Sequence, residues 1–214
     1  MLRLKPEYIK LTADKRIHGC IIPVIGLTGG IASGKSTASR YLEEMGCSVI
    51  CADKLVKEIY REEATILQIA DLAPTVIADG KIDFVRLRAL VFQNPPIKQK
   101  VEAIIYAKLP QYFQAKVRTL PETFVVYDVP LLFEKNLAQL CDLTVCAYCS
   151  PQTQKERLIK RDSISAELAD KMIQAQMSLD LKKDMADFVI MTVSSHAELK
   201  NQLRAFLDKI TILE

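Results

Sequence analysis

This sequence has no apolar run of the ~18 residues that a membrane-crossing helix needs, so no membrane partner is expected. Its formal net charge is only +3, too small an excess to point to nucleic acid, although local basic clusters can still bind phosphates. Internal repeats and low-complexity stretches are missing, which excludes solenoids and disordered arrays. So is any NKxD-type guanine-reading signature of switch GTPases. Glycine is scarce, at seven in 214 residues, yet four of the seven (Gly26, Gly29, Gly30 and Gly34) crowd into one short stretch. The rest is the balance of a soluble globular chain, 50% apolar and 26% charged, long enough for one domain with a full core, or one domain carrying a mobile insert.

The six cysteines form no pattern of a small disulfide scaffold and read as reduced thiols of a cytoplasmic protein. Cys146 and Cys149 make a CxxC, but in the strand-like run LTVCAYC. Side chains three apart on a strand point to opposite faces, so a shared metal is not expected. The basic, mixed N-terminus gives way to IIPVIGL, which runs straight into the glycine stretch; cleavage of a leader there would destroy it. Residues 1–20 therefore read as an extra, disordered tail with no assigned function.

Strand-like and helix-like segments alternate. Ile21–Leu27, Ser48–Cys51, Phe124–Asp128, Leu143–Cys149 and Phe188–Val193 are short apolar runs, hence buried strands. Lys35–Met45 is a helix closed by Gly46, and the last helix opens at Ser195 and Glu198 in capping-box spacing. The expected fold class is α/β, a five-stranded parallel sheet covered on both faces. Residues 62–121 break the alternation; they read as entirely helical, punctuated by Pro95, Pro96, Pro110 and Pro121, an insert on a core of 21–61 and 122–214.

The stretch GLTGGIASGKST fits G-x-x-x-x-G-K-[ST] and sits between a strand and a helix. Phosphate oxygens can approach its backbone N–H groups closely because side chains are out of the way, and the following helix adds its positive end. Gly29, Gly30, Ile31, Ala32, Ser33, Gly34, Lys35, Ser36 and Thr37 are the expected nucleotide cradle. Lys35 reaches the β- and γ-phosphates of ATP, and Ser36 ligates Mg²⁺. Ala32 fits the cradle if its φ is negative. Asp128, closing the strand FVVYD, is either a second metal ligand or a turn residue. Asp53, after the second strand, either orients an attacking hydroxyl or caps the helix KLVKEIY. Arg157 and Arg161, four apart, share a helix face that can neutralise a transferring phosphoryl group, or form a solvated basic face.

GLTGGIASGKST, VICAD, YDVPLLFE, ERLIKRD, AQ and ADFVI, in that order, resemble the dephospho-coenzyme A kinase family, from about Ile21 to the C-terminus. YDVPLLFE is the most specific of these, since many kinases share the glycine loop. The resemblance implies phosphorylation of the ribose 3′-hydroxyl of dephospho-coenzyme A by ATP, the last step of coenzyme A synthesis. It implies a P-loop fold with strand order 2-3-1-4-5, a helical acceptor domain and a lid at about 152–168. Asp53 matches the family's catalytic aspartate, Lys35 and Ser36 its phosphate and metal residues, Arg157 and Arg161 its lid arginines. Leu131 and Leu132 match an apolar pair beside the acceptor. This chain has Cys51-Ala52-Asp53 where the family has Asp-Ala-Asp, Phe84 for an arginine, Tyr106-Ala107 for His-Pro, and Thr192 near an asparagine; Tyr106 can still donate a hydrogen bond to the acceptor. The protein is expected to act as a monomer on small molecules. The alternatives are another P-loop small-molecule kinase, or an ATP-binding regulator without catalysis.

Overall fold

In the computed structural model, residues 2–121, 123–192 and 195–213 are described. The order of elements is β1 (Leu2–Leu4), β2 (Val24–Gly29), α1 (Lys35–Glu44), β3 (Ser48–Cys51), α2 (Ala52–Ile59), α3 (Glu63–Leu72), β4 (Ile77–Ala78), β5 (Lys81–Ile82), α4 (Phe84–Gln93) and α5 (Pro95–Val117). There follow β6 (Val125–Asp128), β7 (Leu143–Tyr148), α6 (Pro151–Asp162), α7 (Ala166–Gln174), α8 (Leu179–Met185), β8 (Phe188–Met191), α9 (His196–Ile210) and β9 (Thr211–Leu213). No helix among the described residues is long and apolar enough to cross a membrane.

The chain divides into two compact units, one of residues 1–51 and 120–214, the other of 52–119. The first is built on a parallel sheet of order β3-β6-β2-β7-β8. Numbered by the five expected strands, that is 2-3-1-4-5, the arrangement the family resemblance implies. All of β2 and β6 is buried, as uninterrupted apolar strands in a two-sided sheet must be. One face packs on α1 and α9 through Ala38, Tyr41, Leu42, Leu203 and Phe206. Val193, assigned to the last strand, lies outside the described residues; Met191 ends β8.

The N-terminal segment is not a disordered tail. Leu2–Leu4 pairs antiparallel with Thr211–Leu213, and Leu4 joins the main core. The fully buried Asp142 explains why the following residues are held. A buried carboxylate needs donors, and Lys10 N, Leu11 N and the Arg16 Nε supply them at 3.0, 2.9 and 2.7 Å, beside Val24 N at 2.9 Å. Lys10 Nζ also pairs with Asp187 at 2.9 Å.

His18, in the left-handed region at φ 55°, sets its ring edge-on to Tyr127, with centroids 5.8 Å apart. Loss of hydration lowers its pKa from 6.5 to about 4. Between those values the unfolded chain binds a proton that the folded one does not. Stability is therefore fully present above pH 6.5 and falls as pH drops toward 4, by up to about 3 kcal/mol. Asparagine tolerates the same backbone. Urea midpoints at pH 7 and 4.5 should thus converge more for His18→Asn than for wild type; parallel loss in both would refute this role for His18.

The second unit is not wholly helical and begins at 52 rather than 62. Helix α2 packs with α5, Lys116 reaching Glu58 at 3.1 Å. Between α3 and α4, β4 and β5 form a hairpin turned at Asp79 and Gly80, both with positive φ, as a two-residue hairpin turn requires. Asp83 caps α4 by accepting from Val85 N and Arg86 N at 2.9 and 3.1 Å.

The CxxC also differs from expectation. Cys149 lies one residue past β7 and packs in one cluster with Cys146 and Leu179, so the two are not on opposite faces. All six cysteines are free thiols. Burial pushes the pKa of Cys47, Cys141 and Cys146 up to about 12, while Cys51 is only half-buried. Iodoacetamide at pH 8 should therefore modify Cys51 first in the native protein, read by peptide mass spectrometry; equal labelling of Cys146 would contradict this packing.

Candidate active site

The loop 30–34 joins the central strand β2 to α1. Gly34, the helix N-cap, has φ 91°, and a Cβ there would lie 2.9 Å from Thr192 Cβ. Only glycine meets both demands, and with no side chain it leaves the first-turn amides of α1 available to an anion. Ser33 Oγ is buried with no hydrogen-bond partner among the described residues. An orphaned donor beside uncapped amides fits a phosphate. Ala32, however, has φ 56°, so the condition under which alanine fits this position without strain is not met.

Lys35, the first residue of α1, forms an ion pair with Asp128, the last of β6. Parallel pairing sets Asp128 beside Leu27 of β2, two residues before Gly29 at the end of that strand. Asp128 is buried, and its second oxygen accepts from Ser39 Oγ at 2.7 Å. Ser39 escapes the motif, but it stands four residues after Lys35 and so on the same helix face. Ser36 is exposed at the helix start.

Arg157 and Arg161 do not share a target. Arg157 donates to the Thr192 carbonyl at 2.6 Å and to its hydroxyl at 3.2 Å. Arg161 is exposed and turned to Asp162, at 2.7 and 2.9 Å, a pairing that raises its pKa. The Thr192 hydroxyl donates to Ser33 O, tying the end of β8 to the loop. Gly34, Thr37, Arg157, Thr192, His196 and Leu199 line a cavity of about 340 Å³. His196 and Leu199 carry no motif; the only hint in the sequence is the capping box, present here, which starts α9 beside them.

Leu132, expected beside the acceptor, is placed in the interior. It is fully buried, and a Cβ on Gly26 would lie 2.9 Å from it, so it fills the core beneath β2. Leu131 is half-buried. Asp53 and Tyr106 belong to the second unit. Asp53 is exposed in the first turn of α2, inside the helix rather than at its cap. Tyr106 is 44% exposed on α5. In that unit a pocket of about 240 Å³ is lined by Tyr60, Phe84, Leu87, Val91, Arg88 and Lys98. Phe84 meets Tyr60 edge-on, with centroids 5.3 Å apart.

The chain matches the dephospho-CoA kinase family over residues 23–198. It is 36% identical to the dephospho-CoA kinase of Fusobacterium nucleatum, covering 88% of this chain and 99% of that one. It is 38% identical to that of Geobacillus kaustophilus, over 89% and 98%. Its fold is similar to that of a solved protein from Thermus thermophilus, at a TM-score of 0.80, 27% identity and 88% and 97% coverage. It also resembles the solved dephospho-CoA kinase from Campylobacter jejuni, at a TM-score of 0.59 and 24% identity over 88% and 97%. A glycine loop fitted to phosphate, a five-stranded parallel sheet and this similarity over most of its length agree, and the chain belongs to the dephospho-CoA kinase family.

Proposed function

We propose that this protein transfers the γ-phosphoryl group of ATP to the ribose 3′-hydroxyl of dephospho-coenzyme A. The observation that carries this reading is the loop: uncapped amides at Gly34, the orphaned Ser33 hydroxyl and Lys35 beside Asp128 together suit a triphosphate. The cavity bounded by Arg157, Thr192 and His196, at about 340 Å³, has room for a nucleobase and supports adenine binding next to that loop.

In this reading Lys35 exchanges its partner Asp128 for the β- and γ-phosphates. Ser36 and Asp128 would then hold Mg²⁺, which supplies charge neutralisation on the phosphates. Asp53 accepts the hydrogen bond of the attacking hydroxyl and takes its proton as the bond to phosphorus forms. Arg157 and Arg161 act as lid residues, leaving Thr192 and Asp162 for the transferring group. Leu131 and Tyr106 contact the acceptor. The pocket of the second unit, apolar and aromatic with Arg88 and Lys98 on it, suits an acceptor with an apolar arm near phosphates. The free thiols support a reducing, cytoplasmic setting, and action as a monomer is part of the same proposal.

The test is ADP release from ATP and Mg²⁺ with dephospho-coenzyme A, adenosine, a nucleoside monophosphate, shikimate or no acceptor. Release with dephospho-coenzyme A alone is the expected result. Release with another acceptor alone, or with none, would overturn the assignment.

A further inference from the structure

Two buried or half-buried glutamines grip one residue of the glycine loop. Gln154 of α6, 3% exposed, donates from Nε2 to the Ile31 carbonyl at 2.8 Å. Gln176, between α7 and α8, accepts the Ile31 N–H at its Oε1 at 2.9 Å. The peptides on both sides of Ile31 are thus held, one by its N–H and the other by its C=O. The next residue is Ala32 at φ 56°, a backbone that alanine disfavours. Gly30 belongs to the same arrangement, since a Cβ there would lie 2.5 Å from Gln154 Nε2.

The segment behind the grip is pinned by buried polar contacts. Lys182 of α8 is fully buried and reaches Glu134 and Pro130 O, each at 2.7 Å, with Gly29 O at 3.5 Å. Glu134 Oε1 also accepts from Met177 N at 3.2 Å, fixing the residue after Gln176. A buried lysine is tolerated only when paired in this way, so the segment carrying Gln176 has little freedom.

We propose that Gln154 and Gln176 are positioning residues for the nucleotide. Their carboxamides keep Ala32 left-handed and thereby hold the loop amides where a triphosphate meets them, so that ATP does not have to order the loop. This rests on the reading of the loop as an ATP site, and it goes beyond that reading in assigning the loop's shape to side chains outside it.

The test is ATP affinity by calorimetry for wild type, Gln154→Met and Gln176→Met, each with and without Ala32→Gly, with thermal unfolding of every variant. Each methionine variant is expected to weaken ATP about tenfold, the scale of an alanine freed from the left-handed region. Adding Ala32→Gly should recover affinity to within about threefold of wild type, because glycine adopts that conformation unaided. Unchanged affinity in the single variants would overturn the proposal. So would a loss that Ala32→Gly leaves in place, which would mean the glutamines only pack. Amide exchange in nucleotide-free wild type tests the grip even if the variants fail to fold. The Ile31 N–H should be strongly protected, and exchange at the rate of an unstructured peptide would refute the clamp. Wild type that binds no ATP would instead sink the functional reading, while Ile31 protection still decides the clamp.

Discussion

Asp53→Asn is expected to cut turnover by roughly 10²-fold or more while ATP affinity stays within about threefold of wild type. The substitution keeps the shape of the side chain and removes its negative charge and with it the capacity to take a proton. The fold should not register it. Asp53 is exposed and lies within the first turn of α2, not at its cap, so no capping bond is lost. The remaining cost is the loss of a negative charge near a helix N-terminus, about 0.3–1 kcal/mol. Steady-state kinetics, ATP calorimetry and a melting curve separate these effects. Wild-type turnover in the asparagine variant would remove Asp53 from the mechanism. A collapse of Tm would show that its role is structural.

Lys35→Ala should weaken ATP binding and turnover together, with kcat/KM down by roughly 10³-fold, because the ammonium meets the phosphates in both the ground and transition states. The structure adds a complication that the motif alone does not carry. Lys35 is the ion-pair partner of the buried Asp128, whose other carboxylate oxygen accepts from the Ser39 hydroxyl. Removing the cation strands a buried carboxylate, at a cost of about 3 kcal/mol. Adding Asp128→Asn should return most of that stability and none of the ATP affinity. If Lys35→Ala retains both affinity and rate, the loop is not the nucleotide site.

The readable parts of this fold were those written locally. Five apolar strands, the glycine loop and the capping box at Ser195 are runs or spacings of a few residues, and strand order followed from family likeness. The N-terminal segment was not legible, because residues such as Lys10 and Arg16 look solvated in sequence. What holds them is Asp142, more than 120 residues away. The hairpin at Asp79-Gly80 did carry a signal, but the surrounding helices and prolines masked strands of two residues each. Leu132 was named through family likeness alone; its sequence neighbourhood did not show that it fills the space beneath the side-chain-free Gly26. In the site, Lys35 and Asp128 could be named from the sequence, but their pairing could not. Nor could Gln154 and Gln176, since a glutamine that bonds a distant peptide looks like any other polar helix residue.

The central claim is that a phosphoryl group passes from ATP to one hydroxyl of one acceptor. The most direct measurement is ³¹P NMR of the product after incubation of the protein with ATP, Mg²⁺ and dephospho-coenzyme A. The account requires a new phosphomonoester resonance on the ribose 3′ position, appearing in step with ADP. ADP without that resonance, or a phosphomonoester elsewhere on the acceptor, would contradict it.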